Sequence, residues 1–266
     1  MGHDHSSILT SPLWDILFIS ISCLAIGFYI FAVFISNKKL HLHRWPLYRT
    51  AFWIFGVLMA LLVMVGPLAT MAHFDFRFHM MGHLLLGMLA PLLLVLAAPM
   101  TLVLRALPVT MARKLTKVMR QRPFSFVTHP ITASILNIGG LWLLYTTPLF
   151  QWMHHYTWLY VLIHLHIILA GYVFTAAMIY IDPAPHRYSF LYRAIVIVFA
   201  LGAHQILSKS LYAYPPEGVP TEQAEAGAKI MYYGGDAIDL VIIFLLCLHW
   251  YQASRPRTTL SESQTS

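Results

Sequence analysis

Residues 79–104 contain no Lys, Arg, Asp or Glu. A membrane-crossing helix needs about 20 apolar residues, and this run opens on histidine and methionine: HMMGHLLLGMLAPLLLVLAAPMTLVL. Six other apolar runs recur at residues 13–35, 51–70, 131–147, 157–181, 191–212 and 231–251. The run at 131–147 is the shortest. Backbone groups in lipid must be satisfied within their own segment, and these runs are too long and unalternated for strands. The expectation is an all-α, polytopic membrane bundle of seven transmembrane helices.

Composition agrees. Only 10% of residues are charged and 59% are hydrophobic, whereas a soluble domain carries about 25% charged residues. The net charge of +7 is topological and does not point to nucleic acid. Fourteen Lys and Arg fall in the loops after the first, third and fifth runs and in the C-terminal tail, against three (Arg77, Lys209 and Lys229) on the other side. Positive loops stay in the cytoplasm, so the N-terminus is expected outside and the C-terminus inside. The start of the chain has no basic segment of a secretory signal, and the first run reads as a retained span. Residues 1–251 read as one integral membrane domain, and 252–266 as a polar, disordered cytoplasmic tail. The stretch 213–230, rich in Pro, Gly, Ala and Glu, reads as the longest outer loop. Cys23 and Cys247 lie inside apolar runs and read as small hydrophobes.

Polar groups inside the spans gather at one depth. His79 and His83 are four residues apart and share a helix face. Counting about 1.5 Å per residue from the expected outer surface places His83, His164 or His166, His204, Asp236 and Asp239 within its outer third. His164 and His166 point to opposite sides of their helix, and His164 is favoured as the inward one. Ionisable groups in spans mark functional sites by default. Lys209 is expected either to pair with Asp236 or Asp239 or to snorkel outward. Imidazole suits Cu, Zn, Fe and Ni, and thioether selects Cu(I). His79, Met80 and His83 offer both ligand types at one place. His3, His5, His73, His154 and His155 could feed the same mouth. Met88 and Met100 read as packing residues. Haem b, held by His83 with His164 or His204, is the rival. Pro91 and Pro99 are expected to kink the third helix.

The stretch from His79 to Pro108 resembles the signature of the CtaG-type cytochrome c oxidase assembly factors, described for caa3-type oxidases. TTPLFQWMHHY, HLHIILAGYVF with IDPAP, and EQAEAGAKIMYYGGD fit the same family. The resemblance implies a bacterial plasma-membrane protein, not an enzyme, that partners cytochrome c oxidase subunits and supplies copper. The alternative is a metal-free chaperone for an oxidase subunit. The resemblance marks His79, Met80, His83, one of His164 or His166, and Gln223 with Gly227, and with it His79, Met80 and His83 are expected as primary copper ligands and His164, His204 and Asp236 as partners. Glu222-Gln223 and Met231-Tyr232 stand where the family often has Asp-Gln and Met-Trp.

Overall fold

The structure is a computed structural model that describes residues 12–40, 42–184 and 186–255. His3, His5 and the tail from residue 256 onward lie outside the described residues. Among those described there is helix and no strand. Among the described residues six helices are long and apolar enough to cross a membrane, and a bent pair brings the count to seven if it is a single span. They are α1 (Pro12–Lys38), α2 (Leu47–Met64), α3 (Phe76–Ala106), α4 (Pro130–Thr146), α5 (Thr157–Met178), α6 (Phe190–Ala213) and α7 (Thr221–Ser254). A short arm, Leu149–His155, leaves α4 at 80°.

The third span is the centre of the bundle. Half of its apolar window is buried, against 6% for α1 at the periphery, and it packs on α2, α5 and α7. It is composite, for reasons written in its prolines. Pro91 lacks an N–H, and the turn before it, Leu85–Leu89, widens to a π-helix, which accommodates the missing bond. At Pro99 the helix restarts after Ala98, which is left-handed at φ 51°. The new N-terminus is capped by Asp182, whose carboxylate accepts from Met100 N at 3.0 Å, Thr101 N at 2.7 Å and Thr101 Oγ1 at 2.6 Å. A second π-turn, Ile135–Gly139, interrupts α4. Helices α3 and α5 touch through Gly171. A Cβ there would lie 2.2 Å from the Gly87 carbonyl oxygen and 2.9 Å from Pro91 Cγ, so only glycine fits.

Two boundaries differ from the sequence reading. The second span stops at Met64, because Gly66 takes φ 91° and Pro67 opens a separate short helix, Pro67–Phe74. The expected outer loop is largely helix: α7 begins at Thr221, since EQAEAGAK is built of strong helix formers and Pro220 precedes it. The connector shrinks to Tyr214–Pro220.

Candidate functional site

The site grows from the start of α3. Asp75 caps it, accepting from Arg77 N at 2.9 Å and pairing with the Arg77 guanidinium at 2.5 Å. That pair is the sole ion pair among the described residues, and it holds the Asp75 carboxyl below the usual carboxylate range. One turn in, His79 is buried, and its Nε2 lies 3.0 Å from the Tyr145 hydroxyl of α4. Another turn on, His83 is buried with neither ring nitrogen hydrogen-bonded.

Three spaces line up along these two residues. The mouth, about 310 Å³, is bordered by His73, Asp75, His79, His154 and Glu217. Below it an outer chamber of about 20 Å³ is lined by His73, His79, His83, His154, His164 and Tyr145. An inner chamber, also about 20 Å³, is lined by His83, Met88, Asn137, Thr175, His204 and Asp239. His79, with His73 and His154, thus borders both mouth and outer chamber, and His83 borders both outer and inner.

Backbone carbonyls set two tautomers. His164 Nδ1 lies 2.8 Å from the Tyr160 carbonyl oxygen, and His154 Nδ1 lies 2.9 Å from that of Phe150. A carbonyl only accepts, so both Nδ1 atoms carry the hydrogen and both Nε2 atoms present a lone pair. This is how metal-binding histidines are commonly oriented. The His73 and His154 rings lie 5.1 Å apart between centroids, tilted by 53°. Burial, then the neighbouring His154, pushes the His73 pKa down, so its ring stays neutral. The donors fit a metal that prefers imidazole. Among the described residues, however, no three His, Cys, Asp or Glu side chains already converge at ligand distances. An ion held there would require side-chain rotation.

Not every expected residue arrives. His164 is buried in the outer chamber, whereas His166 is exposed and bonds the Leu136 carbonyl at 3.1 Å. Met80 is fully buried but turns to α7. A Cβ on Gly227 would meet its Cγ at 3.1 Å, and Met80 lines neither chamber. Asp236 is exposed and bonded to Gln205. Asp239 faces inward instead, because it shares the buried stripe of Met231 and Gly235, at spacings of four. That stripe was the available signal. Lys209 pairs with neither aspartate and lies 5.4 Å from the Tyr232 ring. Met88, expected only to pack, has its methyl beside the Gly235 position that cradles His204. Gln223 and Gly227 dock α7 onto α3: Gln223 Oε1 accepts from Phe76 N at 3.1 Å, and Gly227 leaves room for the Phe76 ring. Tyr145, Asn137 and Thr175 carry no distinguishing pattern in the sequence.

A central proline-broken span with buried histidines on one face, inside a multi-pass helical bundle, defines the class. Over residues 27–253 the chain matches the family described as cytochrome c oxidase caa3 assembly factor (Caa3_CtaG). The chain belongs to that family and is a multi-pass membrane protein. An uncharacterized protein of Mycobacterium leprae is 33% identical over 175 residues, which is 60% of this chain and 25% of the relative. Uncharacterized proteins of Mycobacterium bovis and Mycobacterium tuberculosis are each 35% identical over 152 residues, 54% of this chain and 23% of theirs. The chain spans about a quarter of the length of these curated relatives. No solved structure matches.

Proposed function

We propose that this protein binds copper in the outer chamber and supplies it to cytochrome c oxidase during assembly, without itself catalysing a reaction. One observation carries the reading. His79, His83 and His164 surround a single water-sized cavity beneath a histidine-lined mouth, and the tautomer of His164 directs an unprotonated Nε2 away from its own helix carbonyl. Copper is cargo here. An ion held by few neutral ligands near a mouth is readily passed on by ligand exchange. His73 and His154 act at the mouth. Met80 and Asp236 are replaced in this reading by the imidazoles alone, because neither lines the chamber.

The chamber volumes weigh against the haem reading, since about 20 Å³ on either side of His83 is room for about one water, not for a porphyrin. The metal-free chaperone reading is separated by experiment. A His79→Ala/His164→Ala strain grown under copper limitation is expected to lose oxidase activity and to recover it with added copper. Normal oxidase under limitation would leave the chaperone reading in place.

A further inference from the structure

The inner chamber holds polar groups that outer-chamber binding does not use. His83 and His204 each have both ring nitrogens without a hydrogen-bond partner, and both carboxylate oxygens of Asp239 are equally alone. All three side chains are buried, His204 at 1% and Asp239 at 3% exposure. Six orphaned polar atoms around one small cavity are costly, and a cavity of about 20 Å³ has room for about one water, too little to satisfy them all. The rings sit in tailored seats. A Cβ on Gly87 would meet His83 at 3.3 Å, and one on Gly235 would meet His204 Cε1 at 2.8 Å.

Both π-turns open onto this space. Gly87 and Met88 come from the first, and Asn137 and Ile138 from the second. Single π-turns inside α-helices recur at functional sites, and these two meet at one chamber. The His83 and His204 ring centroids lie 6.1 Å apart. Two imidazoles sharing one ion through metal–nitrogen bonds of about 2 Å bring their centroids to about 6 Å or closer. The observed separation is within that reach, and the ring nitrogens would turn towards one point to share an ion.

We infer that His83 and His204, with Asp239 as counter-charge, form a second copper site in the inner chamber, specific for the monovalent ion; a neutral imidazole has one lone pair, so with both chambers filled His83 serves the inner ion and His79 and His164 the outer. Charge decides the oxidation state. A lone charge in a membrane span is costly and a compensated one much less so. Copper(I) with one carboxylate is neutral, whereas a divalent ion would leave a net positive charge. Met88, a thioether beside the chamber, favours the same ion. The inference rests on the copper reading above, and the two can fail separately.

The test is titration of copper(I), under reducing conditions, into the detergent-purified full chain against a chromophoric competitor chelator. The wild type is expected to take up two ions. Asp239→Asn and His204→Gln, both near the native size, are expected to lose one, with at least a tenfold loss of affinity for it. His79→Ala/His164→Ala should lose the other and keep the inner site. A wild type that binds one ion, unaffected by Asp239→Asn and His204→Gln, overturns the inner site and leaves the proposed function standing. One ion lost in those variants but kept by His79→Ala/His164→Ala overturns the outer site instead. One ion lost in every variant makes the chambers a single site and overturns their separation. No binding overturns both. Zinc(II) binding as tight as copper(I) overturns the charge assignment.

Discussion

At the scale of single residues, the hydrogen bond between His79 and Tyr145 gives a sharp handle. Partners that orient a ligand are typically worth about 10–100-fold in metal affinity. Tyr145→Phe is therefore expected to weaken copper binding by about tenfold while the protein stays folded, as a competition titration beside a thermal melt would show. An unchanged affinity would remove the hydroxyl from the site. Protons compete for the same donors. At His73, burial first and His154 second lower the pKa, so the folded state binds fewer protons there than the unfolded chain. The stability it contributes is present above the unfolded imidazole pKa of about 6.5 and is lost as pH falls towards and below the depressed value. Copper uptake through the mouth should accordingly persist somewhat below that pH before declining, and His73→Gln should alter the decline without abolishing it, because burial also pushes the His154 ring at the same mouth down. A decline centred at the ordinary histidine value would contradict it. The sequence made His79, His83 and His204 legible as residues that do not belong in lipid. It did not distinguish Asp236 from Asp239, because three residues on a helix differ by only about 60° and the neighbouring helix settles which one is covered.

At the scale of elements, the prolines of α3 were visible, but not what they would do. Pro91 produces a widened turn that turns Met88 towards His204, while Pro99 produces a restart capped by Asp182. Side-chain caps are worth about 0.5–2 kcal/mol. Asp182→Ala should lower stability by about that amount in a detergent melt without changing copper affinity, since the cap lies at the opposite end of the span from His79. The Gly171 contact is tighter. Gly171→Ala forces a methyl into the Gly87 carbonyl, and overpacking typically costs about 1–3 kcal/mol. It is expected to displace the π-turn and reduce copper binding along with stability, so a variant that melts and binds like the wild type would refute the close approach. The end of α7 shows the limit of pattern reading. Residues 221–230 lack the apolar periodicity of a span, yet their propensity and the docking of Gln223 on Phe76 N make them helix.

At the scale of the whole molecule, seven apolar runs and the gathering of Lys and Arg into alternate loops were readable from composition and charge alone. The gathering of α2, α5 and α7 around α3 was not, because helices that are apolar all round do not announce which neighbour they choose. Direction in the membrane is a prediction of the positive-inside rule. With Cys23 and Cys247 replaced by alanine, Gln151→Cys at the mouth should react with an impermeant thiol reagent on intact cells, and Thr110→Cys only after lysis. The reverse pattern would invert the molecule and turn its mouth to the cytoplasm. The central claim is met most directly by measuring the metal content of detergent-purified protein after growth with added copper, wild type beside His79→Ala/His83→Ala. Stoichiometric copper in the wild type and its loss in the variant is the predicted result. Copper absent from both, or equal in both, would contradict the account.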